Sequence, residues 1–164
     1  MSEKLKDKSR DHKIYISKSA CDTEAIAQDF AKNLKGGEVI ALVGDLGSGK
    51  TTFTKGLAKE LGIKIPITSP TFVILKQYKI KKSGLKRTAD NLIHMDCYRL
   101  KSAEDALGIG ITDYLGKDDT IFVIEWPEIL QKNILNCKNV FGIKNIINIK
   151  FSHLTENKRK IDIA

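Results

Sequence analysis

Gly44-Asp45-Leu46-Gly47-Ser48-Gly49-Lys50-Thr51 fits the spacing G-x-x-x-x-G-K-[ST] at every fixed position. Phosphate chemistry explains that spacing. Glycines let the backbone turn so that successive N–H groups face phosphate oxygens. A helix that starts directly after the loop aims its positive end at the same anion. Lys50 neutralises the outer phosphates, and Thr51 presents a hydroxyl to magnesium. Asp45, Leu46, Gly47, Ser48, Gly49, Lys50, Thr51 and Thr52 are therefore the expected nucleotide-binding residues. Asp45 is an anion beside a triphosphate, placed there to orient water or to cap the loop backbone.

A metal-bound triphosphate needs a carboxylate at the tip of a strand beside the loop strand. Two candidates end apolar runs: Asp96 after Leu92-Ile93-His94-Met95, and Glu125 after Ile121-Phe122-Val123-Ile124. Either or both reach magnesium directly or through water. If the chain descends through 72–80 and climbs through 91–96, Asp96 arrives level with the phosphates. The same path leaves Ser69, Pro70, Thr71 and Phe72 at the top, where small GTPases by analogy keep a γ-phosphate sensor. His94, two residues before Asp96, shares its sheet face. Arg99 is a second-rank candidate for phosphate, and Trp126 follows Glu125 directly. The chain contains no N-K-x-D guanine-reading sequence, which favours ATP over GTP.

The elements that must position these residues are legible in outline. Lys13 to Ser17 alternates as a short strand. Ser19 or Asp22 caps a helix to about Leu34, with Ala25, Ile26, Phe30 and Leu34 on one face. Glu38 to Val43 is an apolar run suited to the buried centre of a sheet. A helix is expected over 50–61, and a hairpin from 72–80 and 91–96. Short helices are expected over 103–107 and 127–135, with a turn near Asp113. A strand is expected at 120–125, and a closing hairpin from 145–151 and 158–163. Residues 1–12 read as a disordered tail and 13–164 as a single domain. The expected fold class is α/β: a three-layer P-loop NTPase domain with a mixed, mainly parallel central sheet and a β-hairpin.

Composition narrows the function classes. The chain has 164 residues, 41% apolar and 29% charged, enough for one domain with a real core. No apolar run approaches the roughly 18 residues that span a bilayer, so no membrane role is expected. The three cysteines share no short spacing, which argues against a disulfide framework or zinc site and for a reducing, cytoplasmic setting. The net charge is +8, with 24 lysines to 4 arginines. That excess reads first as compositional bias, because phosphate recognition favours arginine. Residues 76–90 nonetheless hold six bases and one acid. Lys79, Lys81, Lys82, Lys86 and Arg87 are thus candidates for contact with nucleic acid or another acidic partner.

Four segments together resemble the TsaE family, small ATPases of bacterial tRNA threonylcarbamoyladenosine synthesis: residues 44–52, Thr68-Ser69-Pro70-Thr71-Phe72, His94-Met95-Asp96-Cys97-Tyr98-Arg99-Leu100, and Ile124-Glu125-Trp126-Pro127-Glu128. The first is common to many NTPases; the combination is specific. The resemblance implies that Thr51, Asp96 and Glu125 serve magnesium, with Lys50, Asp96 and Glu125 catalytic, and that 69–72 senses the nucleotide. It further implies ATP hydrolysis within a complex with TsaB and TsaD, and only indirect or weak contact with tRNA. Two other classes compete on sequence alone. A small-molecule P-loop kinase would need an acceptor pocket and a lid. A non-catalytic docking switch would bind ATP and release no phosphate.

Overall fold

The computed structural model describes residues 4–6 (backbone only), 12–70, 73–81 and 87–164. Strands are β1 (Lys4–Lys6), β2 (Lys13–Ser17), β3 (Glu38–Val43), β4 (Leu75–Lys79), β5 (Asn91–Asp96), β6 (Thr120–Glu125), β7 (Asn145–His153) and β8 (Arg159–Ile163). Helices are α1 (Ala20–Ala31), α2 (Lys50–Glu60), α3 (Ala103–Gly108) and α4 (Glu128–Gln131). One sheet runs in the order β1-β2-β8-β7-β3-β6-β5-β4. Its centre is parallel, with β3 between β7 and β6 and with β6 against β5. Both edges are antiparallel. This is the mixed α/β architecture expected from the sequence, with both hairpins present.

The central strands are apolar on both faces because both faces are covered. Ile40, Leu42, Leu92, Ile121 and Val123 pack with Ile26, Phe53 and Leu57 of α1 and α2. Val39, Ala41, Ile93, Met95, Phe122 and Ile124 pack with Ala103 and Ala106 of α3 and with Leu130 of α4. That gives three layers. Side chains alternate along a strand, so His94 and Asp96 share the face of Leu92. Glu125 likewise shares the face of Ile121 and Val123. All three therefore point to the α2 side, where the phosphate loop lies.

Several boundaries differ from expectation. Within the tail expected at 1–12, Lys4–Lys6 pairs antiparallel with β2. Helix α1 is capped by Ser19, whose hydroxyl accepts from Asp22 N at 3.0 Å, and it ends three residues early, at Ala31. Strand β4 begins at Leu75 rather than 72. Val73 N and Ile74 N both turn back to Pro70 O, and Ile74 sits at φ 64°, outside strand geometry. The helix expected over 127–135 covers only Glu128–Gln131. Ile134 at φ −121°, ψ −61° breaks it, and a 3₁₀ turn follows at Leu135–Cys137. Asn133, Asn136 and Asn139 are weak helix formers, which disfavours continuation.

Candidate functional site

Strand β3 delivers the chain into the loop, and Gly44 makes the first turn at φ 152°. A Cβ there would stand 2.7 Å from Phe151 O of β7, so only glycine fits. Gly49 is the N-cap of α2 and supplies no side-chain cap, which leaves the first helix amides for an anion. Ser48 Oγ is buried without a hydrogen-bond partner among the described residues, a donor the loop itself does not use. Lys50 is buried. Its Nζ donates to Gly44 O at 2.6 Å and Asp45 O at 2.9 Å, and lies 3.9 Å from the centre of the Trp126 ring. Burial pushes its pKa down; Glu125, Asp96, Glu128 and Asp45 push it back up without cancelling the effect.

Asp96 and Glu125 are neighbours in register at the ends of β5 and β6, and both are buried. Cross-links fix the strand tips: Cys97 N donates to Glu125 O at 3.0 Å, and Trp126 N to Leu42 O at 3.3 Å. Thr51 Oγ1 donates towards Glu125 Oε1 at 2.9 Å and Oε2 at 3.1 Å. His94 Nε2 lies 2.8 Å from the same Oε1. Asp96 Oδ2 accepts from Ser69 Oγ at 2.8 Å, and Oδ1 from Tyr98 N at 2.9 Å. Ser69 thereby ties the expected switch segment to a carboxylate. Pro70 is buried; Thr71 and Phe72 lie outside the described residues.

Ser69, Asp96 and Glu125 line one cleft of about 320 Å³, together with residues 46–52, Tyr98 and Trp126. Trp126 takes the left-handed conformation, φ 57°, which is costly for a bulky residue. It brings the indole against Lys50 and against Tyr98, with ring centroids 5.2 Å apart. Tyr98 was missed by sequence reasoning; its spacing two residues after Asp96, at the same strand tip, was the available signal. Arg99 is exposed and stands outside the described lining of the cleft. Asp45 is exposed, and its backbone carbonyl is what touches Lys50 and Ser48 N.

A hydroxyl and two carboxylates form a hard oxygen donor set, the kind magnesium accepts beside substrate phosphates. Among the described residues no group of three or more His, Cys, Asp or Glu side chains converges as a cage.

The family model for "Threonylcarbamoyl adenosine biosynthesis protein TsaE" matches residues 17–161. The chain belongs to the TsaE family. The tRNA threonylcarbamoyladenosine biosynthesis protein TsaE of Aquifex aeolicus is 36% identical over 92% of this chain and 95% of its own length. The Bacillus subtilis protein of the same name is 39% identical over 69% of this chain, an alignment spanning 65% of that relative. The crystal structure of Bacillus subtilis YdiB superposes with a TM-score of 0.68 at 28% identity, covering 99% of this chain and 86% of that one. No helix among the described residues is long and apolar enough to cross a membrane.

Proposed function

We propose that this TsaE-family chain binds ATP with magnesium in the cleft and hydrolyses it slowly. It does so as a subunit of the cytoplasmic machinery that makes threonylcarbamoyladenosine in tRNA. The observation that carries this reading is the convergence of Lys50, Thr51, Asp96 and Glu125 from two parallel strand ends and one helix start. The loop amides take the phosphates, and Lys50 exchanges its two carbonyl partners for phosphate oxygens. Thr51, Asp96 and Glu125 would hold magnesium, which when bound neutralises charge developing on the transferring phosphoryl group.

No arginine is among the residues that line the cleft, although Arg159 of β8 packs against Gly49 of the loop, its Nε 3.7 Å from where a Cβ would stand. An arginine supplied in trans is worth about 10³–10⁵ in rate to other NTPases. Slow turnover alone and faster turnover with TsaB and TsaD follow. Hydrolysis then resets that complex between rounds of transfer by TsaD. Lys50→Ala and Thr51→Ala test the reading: each loses magnesium-dependent ATP binding by calorimetry while keeping a native circular dichroism spectrum. Wild-type ATP affinity in both variants overturns it.

A further inference from the structure

His94 is fully buried, and the cleft does not touch it. Its Nε2 lies 2.8 Å from Glu125 Oε1. A carboxylate only accepts, so Nε2 carries the proton and donates. The other ring nitrogen, Nδ1, is buried and has no hydrogen-bond partner among the described residues. A ring with one nitrogen bonded and the other orphaned is a poor choice for packing alone. Leu92 on the same strand face and Val123 on the neighbouring strand fill equivalent positions with apolar side chains. An unpaired buried polar atom is a standing cost that an aliphatic residue would not incur.

The other contact of Glu125 shows what that cost secures. Thr51 has one hydroxyl proton, and it faces both carboxylate oxygens at nearly equal distances, 2.9 and 3.1 Å. A shared proton does not choose a rotamer. The His94 bond does choose one: it engages Oε1 alone and leaves Oε2 the less committed oxygen.

We infer that His94 is a positioning residue that sets the orientation of the Glu125 carboxylate from behind. Glu125 then meets the loop hydroxyl and the nucleotide-bound cation in a fixed geometry. The inference rests on the ATP reading given above. Groups that orient a ligating side chain typically contribute about 10–100-fold to metal affinity or activity.

Two replacements separate positioning from bulk. In His94→Gln the amide nitrogen reaches the place of Nε2. In His94→Asn it reaches only the place of Nδ1 and falls short of Glu125. The measurements are ATPase kcat and KM with TsaB and TsaD, and the magnesium concentration needed for half-maximal ATP binding by the isolated chain. His94→Asn is expected to lose about 10–100-fold in kcat and in magnesium dependence, with ATP KM nearly unchanged. His94→Gln is expected to recover most of both. Equal behaviour of Asn and Gln overturns the inference, whether both are wild-type-like or both lose KM and melting temperature together. Nitrogen NMR of the free protein gives a reading that needs no nucleotide: the Nε2–H tautomer supports the inference and the Nδ1–H tautomer overturns it. Absence of ATP binding by the wild-type chain would instead defeat the proposed function.

Discussion

Lys50 is a charge that the fold buries. Burial lowers its pKa below the ordinary 10.5, and the surrounding carboxylates only partly oppose this. A lysine with a lowered folded pKa is a cost to the folded state. The cost is present in full below that folded value and is relieved as pH rises through it towards 10.5. Lys50→Met should therefore melt higher than wild type at pH 7, and the gap should shrink as pH approaches 10. A variant melting below wild type at pH 7 would show that the bonds to Gly44 O and Asp45 O outweigh desolvation. Cys97 gives a contrast beside the same site. Burial raises its thiol to about 12, so it packs as an apolar side chain, and slow alkylation relative to exposed Cys21 and Cys137 is expected.

At the scale of elements, the helix that carries Lys50 and Thr51 is positioned by an unusually close approach. A Cβ on Gly56 of α2 would stand 2.4 Å from Glu24 O and 2.6 Å from Ala27 Cβ of α1. Alanine would gain up to about 1 kcal/mol in helix propensity, but overpacking a tight contact costs about 1–3 kcal/mol. Because the obstacle includes backbone, Gly56→Ala should destabilise by about 1–2 kcal/mol in urea unfolding. A gain in stability would mean that α1 shifts freely. This contact was not legible in the sequence. What was legible is local: strands β2, β3, β5 and β6 start and end where their patterns do, since an apolar run bounded by polar residues fixes both ends. The ends at Ile74 and Ile134 were not, because a positive φ and a broken last turn are imposed by packing. The pairing of Thr51 with Glu125 was expected as two ligands of one metal. Their direct hydrogen bond, and His94 behind it, depend on strand order, which joins β3 to β6 and β6 to β5.

For the whole molecule, the remaining issue is where the +8 charge goes. Five bases of the lysine-rich stretch were candidates for contact with tRNA or an acidic partner, against a reading as a solvated turn whose charges blunt an edge hairpin. Lys82 and Lys86 lie outside the described residues, and two of the other three bases are engaged internally. Lys79 Nζ donates to Asn91 Oδ1 at 2.7 Å. Arg87 is half-buried; its Nε donates to Leu34 O at 3.0 Å and its Nη2 to Ala31 O at 2.9 Å. Those are carbonyls at and just past the C-terminal end of α1, where a cation complements the helix dipole. Arg87 therefore ties the hairpin to α1, with Nε and Nη2 each committed to a carbonyl of that helix end. Arg87→Gln should lose about 1.5–3 kcal/mol of stability, the range for hydrogen bonds to a charged group. It should leave unchanged the dependence of tRNA binding on salt in the assembled complex. A lost phosphate contact would instead lower the log–log slope by about 0.7 on single-stranded RNA. A wild-type melting temperature together with such a drop in slope would return Arg87 to the RNA-contacting surface.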